Sequence, residues 1–272
     1  MLPLSQLIDL NRYPIHRLEA KPGRELLAQC RDSLDRTAMC HLPGFVRADA
    51  VAEVLAEIGP LRDRTYWMET PRRAYSWRDP SEYPDAAVVG RHNPNRIGSI
   101  TKNEFPPGGA FVSIFEQRAL TEFVRQCMGF DVLHPVACPY LAANIKVMTE
   151  GCQHAWHFDQ NDGAVTLMFQ PADEGGVFEY VPFLRDEGDE NYAAVDQLMN
   201  GVTADVLGSN LGPGSFCLFK GRRSIHHVSE VIRGERLLAV FSYHHVPGHR
   251  YRDSTIRSVL GRLPDDYATS FA

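Results

Sequence analysis

Two hydrophobic rhythms follow one another along the chain. In the first half, apolar residues return every three or four positions: Val51, Val54, Leu55 and Ile58 in "RADAVAEVLAEIG", then Leu120, Phe123, Val124 and Cys127 in "EQRALTEFVRQCMG". That spacing lines one face of a helix, so both stretches predict amphipathic helices that cover another layer, the first with Asp49 as its cap. Between them, "WRDPSEYPDAAVVGRHNPNRIGSITKNEFPPGGA" is dense in Pro, Asn, Gly and charge. It predicts a long irregular loop over residues 77–110, of the kind that forms lids and substrate walls.

From about Leu141 the rhythm shortens. "AANIKVM", "QHAWHFD", "AVTLMFQ", "GVFEYVP", "SFCLFKG", "IHHVSEV" and "RLLAVFSYH" are β-rich runs separated by turn signals, with hairpin punctuation at Gly175-Gly176 and Arg233-Gly234. Gly212, Pro213 and Gly214 mark another turn. One helical interruption, "DENYAAVDQLMNG", has Asp189 placed as N-cap and Tyr192, Val195 and Leu198 near helical spacing, which assigns it to packing. Seven or eight short strands without alternating helices predict a β-rich α+β fold of sandwich or jelly-roll type rather than βαβ units. No internal repeat interrupts it. The expected organisation is one domain: 1–138 as helical support and loop, 139–250 as the β core, and 251–272 as a C-terminal tail or helix.

Composition narrows the function. The 272 residues are 44% hydrophobic, enough for a sizeable core, and their net charge of −6 comes from interspersed rather than blocked charges. No basic footprint for nucleic acid and no membrane-length apolar run is present, so small-molecule chemistry is the expectation. The six cysteines are scattered without a C-x-x-C pair, and no apolar segment follows Met1. They read as reduced thiols of a cytoplasmic protein.

The chemistry gathers in "HAWHFDQND", residues 154–162. On a strand, His157 and Asp159 project from one side about 6.6 Å apart, close enough to share an ion, while Trp156 and Phe158 face the other way, beneath helices. His154 has the wrong parity unless the strand bends, which leaves it for the substrate wall. Asp162 reads as a turn residue. A third ligand is available in "GRRSIHHV", from His226 or His227. Two histidines and one carboxylate on one side of Fe(II) leave three positions for a bidentate co-substrate and dioxygen, whereas structural zinc would want a closed, usually cysteine-containing set.

These residues resemble the Fe(II)- and 2-oxoglutarate-dependent oxygenases, with their H-x-D…H triad. The similarity is closest to the subgroup of free amino-acid and small-molecule hydroxylases and radical halogenases. It runs from about Pro139 to Pro247 through "HAWHFDQND", "VTLMFQPADEGGVFEYVP", "GPGSFCLFKGRRSIHHVSEV" and "RGERLLAVFSY". The resemblance implies a double-stranded β-helix, jelly-roll and cupin-like, with an N-terminal helical layer on its major sheet. It implies His157, Asp159 and His226 as metal and catalytic residues, with Fe(II), 2-oxoglutarate and dioxygen as cofactor and co-substrates. Arg236 would bind the distal carboxylate of 2-oxoglutarate, with Arg233 as its rival and Asn144 as an amide contact; a guanidinium suits that role because its planar fork pairs bidentately with a carboxylate. Halogenating relatives carry a small residue where Asp159 stands, so the resemblance implies hydroxylation of an unactivated C–H bond, within natural-product biosynthesis.

The expected substrate is a free amino acid or a natural-product precursor built from one. His154 matches a substrate-side histidine of the subgroup, and Arg91 and Arg96, with Arg72 and Arg73, are available to a substrate carboxylate. "PYLAANI" has no acid where lysine-acting relatives carry one, which argues against a lysine-like substrate. His244 and His245 read as structural or exposed. Two alternatives stay open: a cupin-type metal dioxygenase that does not use 2-oxoglutarate, and a non-catalytic binding relative.

Overall fold

Seven strands hydrogen-bond into a major antiparallel sheet in the spatial order Met39–Leu42, Phe216–Phe219, Ala164–Gln170, Arg236–Phe241, Ala143–Met148, Ile97–Thr101 and Tyr66–Met68. A minor sheet of four runs Leu207–Ser209, Phe178–Val181, Ile225–Val228 and His154–His157. These sheets belong to a computed structural model, which describes residues 1–85, 87–160, 163–202, 205–265 and 267. Sequence neighbours cross between the sheets, as a double-stranded β-helix requires. The central strand Ala143–Met148 illustrates the alternation: Ala143, Ile145 and Val147 join the main apolar core, while Asn144 and Lys146 face the space between the sheets.

The helical layer packs against the major sheet. Lys21–Thr37 contributes Leu26, Leu27, Cys30 and Leu34, Ala48–Ile58 contributes Val51, Val54 and Ile58, and Arg118–Met128 contributes Leu120, Phe123, Val124 and Cys127, all in one cluster with Ile145, Leu167 and Phe216. Phe45, fully buried, ties the layers together, its ring 4.8 Å from Phe216 and 5.5 Å from Tyr13. Arg47, not Asp49, is the N-cap of the second helix; Asp49 lies inside the first turn, where its charge still favours the helix dipole. Gly129 ends the third helix at φ 70°, a conformation open to glycine at little cost. The helix Tyr192–Met199 starts after Asn191, and the Asp189 carboxylate accepts the Asn191 N–H at 2.8 Å. Asp189 therefore shapes the turn ahead of that helix instead of capping it.

The expected irregular loop holds more order than its composition suggests. Residues 77–110 include the short helix Ala87–Gly90 and the fully buried strand Ile97–Thr101, and Arg72–Arg73 pairs with His92–Asn93 just upstream. Ala74, Tyr75, Val88 and Val89 join Phe158, Val181, Val195, Leu198 and Ile225 in a second apolar cluster. This corrects the placement of Trp156 and Phe158. Phe158 packs under Tyr75, with ring centroids 5.4 Å apart, and Trp156 stacks on His227 at 3.8 Å, so both lie beneath this loop and the helix Tyr192–Met199. The N-terminal helices have one apolar stripe each and spend it on the major sheet, leaving the minor sheet to other cover.

All six cysteines are free and buried. Among the described residues no helix is long and apolar enough to cross a membrane.

Candidate metal centre and substrate cavity

His157 and His226 face each other across the minor sheet as direct antiparallel partners. Asp159 lies two residues past the end of the His157 strand, its backbone N–H donating to Gly221 O at 3.1 Å. The Asp159 Oδ1 atom lies 3.7 Å from His157 Nε2 and 3.6 Å from His226 Nε2. One ligand atom from each of the three comes within 4.8 Å of the others. The site leaves no room for bulk at position 221, where a β-carbon would overlap Asp159 Oδ2.

Backbone acceptors fix the imidazoles. His157 Nδ1 pairs with Ala155 O at 2.8 Å and His226 Nδ1 with Ser224 O at 3.0 Å, which puts each proton on Nδ1 and turns each Nε2 lone pair towards the carboxylate. Burial, with the Arg72 charge beside it, pushes the His157 imidazole well below its ordinary value and keeps it neutral. Burial opposes ionisation of Asp159, but His226 and Arg72 outweigh it and hold the carboxyl below its ordinary value. Two imidazoles and a carboxylate, with no thiol among them, suit Fe(II) on one face and leave the opposite face to exchangeable ligands.

Strand parity alone would turn His154 away from His157, yet both line the same cavity. The reason is a register shift: His226 pairs with His157 while Val228 pairs with His154, so three steps on one strand match two on the other. This is a β-bulge, and its extra residue restores the missing parity. Asn95 Oδ1 accepts the Ala155 N–H within it at 3.2 Å. His154 then meets Arg72, whose Nη1 donates to its Nε2 at 2.8 Å, and burial pushes the His154 imidazole well below its ordinary value, further lowered by Arg72 and Lys146.

A cavity of about 480 Å³ opens beside the three metal-facing side chains, between the two sheets. Arg236 lines it from the major sheet, 3% exposed; among the described residues its Nη1 reaches only Met148 Sδ, at 3.9 Å, and its Nε has no hydrogen-bond partner. Burial pulls this guanidinium down to about 10. The Asn144 Oδ1 atom, also buried, has no partner either. A buried guanidinium without a carboxylate is costly unless a ligand supplies the charge, which fits an anionic co-substrate. Arg233, by contrast, pairs with Glu174 at 3.5 Å on the surface.

The other expected substrate residues divide. Arg91 is held by Asn200 Oδ1 at 2.7 Å and Met199 O at 2.8 Å, and Arg96 by Glu69 at 3.0 Å while lying over the Trp67 ring. Neither lines the cavity; each is held by a local acceptor instead. Arg72 and Arg73 do line it. His227 bonds Glu179 at 2.7 Å on the opposite face, and His244 stacks on His245 and His249 away from the metal-facing residues. Asp162 lies outside the described residues. Sequence reasoning passed over Lys146, although the alternation that turns Asn144 inward turns Lys146 inward as well.

Fold and site together define a double-stranded β-helix with a His–Asp–His constellation between its sheets. The family model described as Halogenase D matches residues 80–253, and the chain belongs to that family. Among solved structures it is similar to the non-heme alpha ketoglutarate dependent epimerase SnoN from nogalamycin biosynthesis, at 15% identity and a TM-score of 0.59, covering 92% of this chain and 94% of that one. It is also similar to a prolyl hydroxylase from Trichoplax adhaerens, at 13% identity and a TM-score of 0.56, covering 84% and 96%. A third similar structure is an oxidoreductase of the 2OG-Fe(II) oxygenase family from Burkholderia pseudomallei, at 15% identity and a TM-score of 0.52, covering 83% and 94%. At these identities the likeness is one of fold. Comparison with curated proteins gives no match.

Proposed function

We propose that the protein is an Fe(II)- and 2-oxoglutarate-dependent oxygenase that hydroxylates an unactivated C–H bond of a free amino acid or a small molecule derived from one, in the cytoplasm. The observation that carries this reading is the convergence of His157, Asp159 and His226 on one cavity with Arg236. Iron(II) and 2-oxoglutarate, when bound, supply the oxidising chemistry that turns dioxygen on a C–H bond.

The chain's own residues do the positioning. His157, Asp159 and His226 hold the metal from one side, their orientation set by Ala155 O, Ser224 O and Gly221 O. Arg236 takes the distal carboxylate of 2-oxoglutarate in a site from which water is largely excluded, with Asn144 beside it. Arg72, steadied by His154, offers its remaining N–H groups to a substrate carboxylate. Asp159 fills the position that a small residue opens to halide in the halogenating relatives, and this favours hydroxylation.

Anaerobic addition of Fe(II) and 2-oxoglutarate should produce the visible charge-transfer band of the chelate, and admission of oxygen with a substrate should release succinate. Metal-loaded protein without that band would sink the reading.

A further inference from the structure

We infer that Lys146 forms, with Arg72, a second anion-binding subsite, and that the substrate is an amino acid whose side chain ends in a carboxylate. This rests on the oxygenase reading and specifies its substrate. The described lining of the cavity holds Arg72, Arg73, Lys146 and Arg236 against a single carboxylate, Asp159. A divalent metal and Arg236 balance Asp159 and the two carboxylates of 2-oxoglutarate. Arg73 turns its guanidinium to Arg78 O, at 3.2 Å. Arg72 and Lys146 remain, each bonded to a neutral group: Arg72 to the His154 imidazole at 2.8 Å and Lys146 Nζ to Ser99 Oγ at 2.8 Å.

Lys146 is not a surface side chain folded back by chance. It sits mid-strand in the major sheet, in register with Leu238 on one side and Ser99 on the other, so the backbone fixes where its stem enters the cavity. Burial and the Arg72 charge pull its ammonium down to about 7, a penalty that a bound carboxylate would reverse. A substrate with a cationic side chain would meet repulsion from both groups, and a neutral one would leave Lys146 without a counter-charge. An acidic amino acid can place its α-carboxylate at Arg72 and its side-chain carboxylate at Lys146.

The test uses the holoenzyme under anaerobic conditions, loaded with Fe(II) and 2-oxoglutarate. L-aspartate, L-glutamate, L-2-aminoadipate, L-glutamine and L-lysine are titrated against the chelate band, and succinate release is then followed in oxygen. At least one acidic amino acid should perturb the band and trigger succinate release, with L-glutamine and L-lysine at least roughly tenfold weaker. Lys146→Gln should weaken that acid by roughly tenfold to a hundredfold, the range for a hydrogen bond to a charged group. Its affinity for 2-oxoglutarate, which also reports that the variant is folded, should stay the same. Lys146→Arg should retain binding, and Lys146→Glu should prefer L-lysine. Neutral or basic amino acids binding as well as acidic ones would overturn the inference, as would failure of every acidic one to bind. So would a loss of 2-oxoglutarate affinity in Lys146→Gln, which would assign Lys146 to the co-substrate. A wild-type protein that forms no chelate band would instead remove the oxygenase reading and this inference with it.

Discussion

Gly221 and Asp159 are packed so closely that the glycine's missing β-carbon defines where the carboxylate can lie. Gly221→Ala would displace Asp159 and crowd His226, so iron affinity in an anaerobic Fe(II) titration should fall by about tenfold or more, while thermal unfolding moves little. Arg236 makes the complementary case. Arg236→Met removes a buried, unpaired guanidinium and leaves an apolar side chain of similar reach, so the fold should tolerate it. The KM for 2-oxoglutarate should rise by roughly thirtyfold or more, the scale for losing one half of a buried charge pair; an unchanged KM would favour a metal dioxygenase that does without 2-oxoglutarate. Lys146 adds a pH signature. Its ammonium is pulled down to about 7, facing Arg72, Ser99 and His154, and only the charged form pairs with a carboxylate. Affinity for an acidic substrate should therefore be full below pH 7 and fall by up to about tenfold per unit above it, until the pKa of the occupied lysine is reached. Binding measured from pH 6 to 9 checks this, and a flat profile would exclude the lysine.

At the scale of elements, the bulge in His154–His157 is the decisive irregularity. It places His154 and His157 on one face, and Asn95, 6% exposed, accepts the Ala155 N–H inside it. Asn95→Ala leaves that donor buried and unpaired, at a cost of about 1–3 kcal/mol. Urea unfolding should register this loss, together with weaker substrate binding as His154 and Arg72 lose their alignment. Stability unchanged to within a few tenths of a kcal/mol would mean that the bulge holds without Asn95. The segment before it is equally purposeful: the Arg72–Arg73 pairing with His92–Asn93 anchors the wall from which Arg72 reaches the cavity.

Across the whole molecule, the two sheets are covered by different parts of the chain. The N-terminal helices and Phe45 close the major sheet, while Ala74, Tyr75, Val88 and Val89, with the helix Tyr192–Met199, close the minor one. Because Met39–Leu42 is itself an edge strand of the major sheet, residues 1–138 and 139–250 should not fold apart. Phe45→Ala is expected to cost about 3–5 kcal/mol, the usual range for a buried phenylalanine, and to lower one cooperative transition seen alike by near- and far-UV circular dichroism. Two separate transitions would contradict a single domain.

The sequence by itself determined the fold class, most β-core strands and the two periodic helices, because alternation and 3.6-residue periodicity are local consequences of which face is buried. "AVTLMFQ" is a strand from its first residue to its last, Ala164–Gln170. The pairing of His157 with Asp159 was legible for the same reason, since residues two apart share a face. What the chain's order could not reveal was every feature that depends on a partner far along it. Ile97–Thr101 is a strand because Ala143–Met148 lies beside it, and Arg91 and Arg96 leave the cavity because acceptors elsewhere claim them. His154 gains its place from a register shift between two strands, and Lys146 lacks a counter-charge only because no described carboxylate reaches it. Periodicity is written in neighbouring residues; charge balance and register exist only once distant strands have met.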